Sequence, residues 1–170
     1  MHVILHFFFL LKAFSPIEMS CLFVSIGTLV GRSHARVRAD VCDYMQQHMT
    51  TDHMGLPFGA WMGWQQEQEQ EQEQDNATAV GEGESNSVPW NVERAEAYVA
   101  HMRGSNTWGG AMEIAAATRI YACDIIVVSE VGGGGRRVVA EFLAPPSLSS
   151  RPRLTISWNG SHYQAAAGYS

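Results

Sequence analysis

Lysine is nearly missing from this 170-residue chain. Lys12 is the only one, and the ten arginines are scattered. With a formal net charge of -6 there is no basic stripe to follow a phosphate backbone, so nucleic acid is not an expected partner. Cysteine is also scarce. Cys21, Cys42 and Cys123 are odd in number and far apart, which argues against a disulfide framework or a zinc knuckle. Reducing compartments, cytoplasm or nucleus, fit that usage. No apolar run reaches the roughly 20 residues that a membrane-spanning helix needs, so the membrane is not an expected partner. The expected state is a monomer. Residues 3–11 are nearly all apolar, with Phe7, Phe8 and Phe9 in a row. Three readings of them stay open: the apolar part of a secretory signal, without the usual basic start or small-residue cleavage site, an element packed on the core, or an unstructured start. His34, His48 and His53 do not make a metal set. The first two lie fourteen positions apart on one predicted helix, roughly 20 Å of rise.

What is present is enough for one domain with a real core. Its organising stretch is residues 20–30. Leu22, Phe23, Ile26, Leu29 and Val30 share one face at helical spacing, Ser20 is placed as an N-cap, and Gly31 ends the helix. Ser33 caps a second helix over residues 34–49, with Val37, Val41, Tyr44, Met45 and His48 as its apolar stripe and Arg32, Arg36 and Arg38 assigned to solvent. Residues 55–64 read as a loop carrying Phe58, Trp61 and Trp64. Residues 65–88 are an acidic, low-complexity insert of Glu, Gln, Gly and Ser that cannot contribute to a core. The expected organisation is therefore an apolar segment 1–19 followed by one domain, 20–170, interrupted by that insert.

Past the insert, residues 92–103 form an amphipathic helix starting at Asn91 or Pro89. A Thr107-Trp108-Gly109-Gly110 segment leads into an alanine-rich helix over 111–121, with Glu113 near its positive end. Then the period changes. Residues 124–128 are a continuous β-branched run, predicted as a buried central strand. Residues 137–143 return as its hairpin partner, 154–158 alternate as a third strand, and Asn159-Gly160 turns the chain into a fourth that carries His162 and Gln164. Helices precede the sheet, which makes the fold class α+β, with helices packed on a small, mostly antiparallel sheet.

Cys21 then stands as the first residue of a helix, where free N–H groups and the helix dipole favour a thiolate and can receive an oxyanion. A buried structural cysteine explains the position as well. His162, beside a turn, suits a general base paired with that thiol, or a residue at a strand edge. Gln164, two residues on, and Glu18, three before Cys21, are candidates to orient the imidazole.

Several of these segments together resemble the OTU (ovarian tumour) family of deubiquitinating cysteine proteases. They are Cys21-Leu22-Phe23 with Ser25-Ile26, Arg38 and Val41, residues 96–102, Trp108-Gly109-Gly110 with Met112-Glu113, residues 125–128, and Trp158 with Gly160, His162 and Tyr163. The resemblance implies a papain-like fold with Cys21 as nucleophile, His162 as general base, and Met19 and Ser20 in the oxyanion loop. It implies ubiquitin or a ubiquitin-like protein as partner, cleavage after its C-terminal glycine, and no metal or cofactor. The chain departs from the family at three places. Glu18 stands where Asp is usual, Met19 where glycine is usual, and Gln164 where Asp or Asn is common. The alternative function is a catalytically impaired domain that binds ubiquitin without cleaving it.

Overall fold

Helix α1 covers Cys21–Val30 in the computed structural model, which describes residues 20–63, 91–104, 107–131, 134–145 and 151–166. Residues 1–19, including Glu18 and Met19, and the acidic insert with Trp64 lie outside the described residues. α1 buries Leu22, Phe23 and Ile26. It stops at Gly31, whose φ of 69° is the left-handed conformation that glycine reaches without steric cost, and Gly31 N–H closes on Gly27 O. α2, His34–Gln47, begins where the Ser33 hydroxyl accepts from Arg36 N–H. It buries Val37, Val41, Cys42 and Met45 against α1 and its neighbours.

Residues 55–63 are not the loop that their glycine and aromatic content suggests. Two short strands, β1 (Asp52–His53) and β2 (Leu56–Pro57), pair around Met54 and Gly55, both with positive φ, and residues 58–63 are helical. The turn is tight enough for a two-residue hairpin, and its strands are too short to show any alternation. Phe58 is buried, and Trp61 donates its Nε1–H to His53 O.

α3, Val92–Met102, starts at Asn91, whose Oδ1 accepts from Arg94 N–H at 2.8 Å. α4, Ala111–Ile120, has every residue from 111 to 118 buried. Its alanines let α2 approach closely, and it also packs on the sheet through β3 and β4.

The sheet has the order β4-β3-β5-β6, with β3 Asp124–Val131, β4 Gly135–Phe142, β5 Arg153–Trp158 and β6 Tyr163–Ala166. β3 is the central strand that its β-branched run predicts. It pairs antiparallel with β4 and parallel with β5, and β5 pairs antiparallel with β6. Two of the three pairings are thus antiparallel. The parallel one requires a crossover after β4, and Asp124 ties it down: its Oδ1 accepts from Ala144 N–H at 3.0 Å and faces Arg151 Nε at 3.3 Å.

The turn before β6 differs from a two-residue Asn-Gly hairpin. Trp158 pairs with Tyr163, which leaves four residues, 159–162, in the connection. Asn159 spends its side chain inside it: Oδ1 accepts from Ser161 N–H (3.0 Å), His162 N–H (2.8 Å) and the Ser161 hydroxyl (3.2 Å). His162 therefore precedes the strand instead of starting it. α1 packs on β6 and touches β5, which carries the N-terminus of α1 to this turn.

Candidate active site

Cys21 opens α1 and is 6% exposed. Its Sγ accepts a hydrogen bond from Tyr163 N–H at 3.4 Å. That contact seats the start of β6 on the first turn of α1 and brings the residue after His162 against the sulfur. The approach of His162 is fixed in turn by Asn159, which holds its backbone N–H. Tyr163 points into the core, and its phenol oxygen has no hydrogen-bond partner among the described residues. Burial, with Cys21 and Glu113 nearby, pushes that phenol far above the usual tyrosine range. Gln164 follows on the exposed side of β6. Glu18 and Met19 lie outside the described residues.

Ser20 holds the N-cap position of α1, but its side chain makes no cap hydrogen bond. Its Oγ accepts from Arg38 Nη2 at 3.1 Å instead. This corrects the assignment of Arg38 to solvent, since Arg38 is only 5% exposed. Nη2 also donates to Thr107 O (3.0 Å), Nη1 donates to Met102 O (2.9 Å), and the guanidinium lies 4.1 Å from the centre of the Phe23 ring. A buried cation needs such a set of acceptors. Burial lowers the Arg38 pKa, while Cys42 and Glu113 act in the opposite direction.

Residues 107–110 complete the surroundings. A Cβ on Gly109 would fall 2.8 Å from Leu22 Cδ2 and 3.0 Å from the Phe23 ring, so only glycine lets this segment lie on α1. Glu113 secures the next residue. Its carboxylate is fully buried, Oε2 accepts from Gly110 N–H at 2.6 Å, and Oε1 accepts from the Tyr98 hydroxyl at 2.8 Å. The Trp-Gly-Gly segment is thereby packed against the turn of helix that carries Cys21.

A family model described as OTU-like cysteine protease matches residues 19–169. The chain belongs to that family. Among solved structures, the OTU domain of OTUD1 matches with a TM-score of 0.51 and 15% identity, covering 91% of this chain and 82% of that one. The viral OTU domain protease from Farallon virus matches with a TM-score of 0.56 and 16% identity, covering 90% and 80%. The Hazara virus OTU, solved bound to ubiquitin, matches with a TM-score of 0.49 and 18% identity, covering 92% and 81%. A search among curated proteins gave no match. Identities this low speak to the fold, which is the papain-like α+β architecture of OTU domains.

In this OTU-like domain all three cysteines are buried, but neither Cys42 nor Cys123 opens a helix as Cys21 does. Cys42 and Cys123 are buried, and burial pushes each thiol up to about 11. Both should stay protonated and unreactive near neutral pH. Brief iodoacetamide treatment of the folded chain at neutral pH, read by peptide mass spectrometry, should modify Cys21 well before Cys42 or Cys123. Equal modification of all three would show that the first turn of α1 confers no advantage. Among the described residues, no cluster of His, Cys, Asp and Glu is arranged to hold a metal, and no helix is long and apolar enough to cross a membrane.

Proposed function

We propose that this OTU-like domain is a thiol-dependent deubiquitinase that hydrolyses isopeptide or peptide bonds after the C-terminal glycine of ubiquitin or a ubiquitin-like protein. The observation that carries the reading is the Tyr163 N–H to Cys21 Sγ hydrogen bond, which sets the sulfur beside the turn bearing His162. His162 takes the thiol proton, and Cys21 attacks the glycine carbonyl. The backbone around Ser20 and the first N–H groups of α1 receive the oxyanion. His162 passes the proton to the departing amine. Water, deprotonated by His162, then opens the thioester and returns Cys21. Glu18 and Gln164 are the candidates for orienting the imidazole, with Met19 beside Ser20 in the loop. The chemistry uses no metal or cofactor, and a reducing compartment, cytoplasm or nucleus, suits its thiol.

The test is covalent labelling of the intact chain by ubiquitin carrying a C-terminal thiol-reactive group. Wild type should give a ubiquitin-shifted band that Cys21→Ala removes. A correctly folded wild type that never labels sinks the reading in favour of binding without cleavage, and plain ubiquitin titration then measures that binding.

A further inference from the structure

We infer that Arg38 is a positioning residue of this site: by holding the Ser20 hydroxyl, it fixes the backbone that leads into Cys21. The inference rests on the thiol-protease reading above. Arg38 grows from α2, yet its guanidinium reaches three other parts of the molecule. It meets the residue before Cys21 through Ser20 Oγ, the end of α3 through Met102 O, and the segment lying on α1 through Thr107 O. It also covers the ring of Phe23, two residues after Cys21. One rigid, planar group thus locates both sides of the first turn of α1. Arginine suits this task because its donors leave in fixed directions, which a lysine ammonium cannot reproduce.

The Ser20 hydroxyl shows what the anchor does. At an N-cap, serine normally turns its oxygen onto the N–H of the second or third helical residue. Here that oxygen is committed to Arg38 and makes no cap bond. The first N–H groups of α1 are therefore not consumed by the side chain beside them. Those are the donors that an oxyanion on the Cys21 adduct would use. Arg38 accordingly acts through Ser20 without touching substrate.

The junction borders a cavity of about 230 Å³ lined by Ser20, His34, Ala35, Arg38, Ala39 and Arg103. A slightly larger side chain at position 20 would use that space, which is the basis of a rescue experiment. Ser20→Ala removes the acceptor, Ser20→Asn restores one, and Arg38→Lys keeps the charge but loses the fork. Each is measured in the full chain with a fluorogenic ubiquitin C-terminal amide, alongside its melting temperature. Because misplacing a reacting group by about 1 Å costs on the order of 100-fold, a partial loosening should lower kcat about tenfold in Ser20→Ala, with KM within about twofold. Ser20→Asn should return to within about threefold of wild type, and Ser20→Ala should cost nothing further in an Arg38→Lys background. A Ser20→Ala enzyme with kcat within about twofold of wild type overturns the inference, and so does a Ser20→Asn enzyme as slow as Ser20→Ala. If wild type itself does not turn over the amide, the protease reading fails on its own account. Arg38 is then judged by Cys21 alkylation against pH: a midpoint raised by about half a unit or more in Ser20→Ala and Arg38→Lys supports the anchor, and unchanged midpoints refute it.

Discussion

His162→Ala should lower kcat on a ubiquitin C-terminal amide by roughly two to four orders of magnitude, with KM nearly unchanged. On the proposed mechanism two proton transfers route through this one imidazole, from the thiol and to the leaving amine. The residue after it, Tyr163, presents to Cys21 only a backbone N–H, and its phenol is buried and held protonated. Gln164 carries no titratable group. The split between the constants follows from placement. His162 sits in a turn fixed by its own backbone through Asn159, so removing the imidazole should leave the backbone around it in place and spare binding. Steady-state kinetics decide it, with Cys21→Ala as the inert control. A His162→Ala enzyme within a few-fold of wild type would mean that another residue supplies the base.

The second large effect concerns stability. Glu113→Ala should destabilise the fold by about 3–5 kcal/mol, from two lost acceptors and the void left in a closed interior. The carboxylate is fully buried and serves Gly110 N–H and the Tyr98 hydroxyl at once. Deleting it withdraws a charged acceptor from both and takes the clasp off the segment that packs on α1. Tyr98→Phe, which removes only the donor, should cost about 1 kcal/mol. Against a domain stability of about 5–15 kcal/mol, the first change leaves little margin at body temperature and the second is tolerated. Urea titration of both variants, with unchanged slopes, makes the comparison. A Glu113→Ala cost no greater than that of Tyr98→Phe would show that the carboxylate holds nothing.

Local patterns carried most of the fold. The apolar spacing of α1, α2 and α3, the Ser33 and Asn91 caps, the glycine at 31 and the β-branched run of β3 are each decided by a few neighbouring residues, so they were legible from the chain. Arg38 was not. It looks like any exposed helical arginine beside Val37, and its acceptors at Met102 and Thr107 lie 64 and 69 positions away. Glu113 was placed near a helix N-terminus for its dipole, but nothing nearby told of the Tyr98 hydroxyl. The Asn-Gly pair announced a turn without its length, because the Asn159 side chain, not the backbone alone, closes it. Cys21 at a helix start and His162 beside a turn are candidates on chemistry alone, but it is the family pattern that singles out the pair, since no local signal links residues so far apart.

That distance has a consequence for when the proposed site can exist. The sulfur of Cys21 and the amide of Tyr163 are 142 positions apart, and the strand that brings them together has four residues and lies at one margin of the sheet. During synthesis Cys21 emerges early, and its contact with Tyr163 cannot form until residues 163–166 have left the ribosome and docked on α1. After synthesis, peeling of that short strand dismantles the pair while the helices and β3 stay folded, since local openings of this kind cost less than global unfolding. Native-state hydrogen exchange should show the Tyr163 amide exchanging faster than those of Ile125 and Val127. Equal protection would mean that the pair breaks only when everything does.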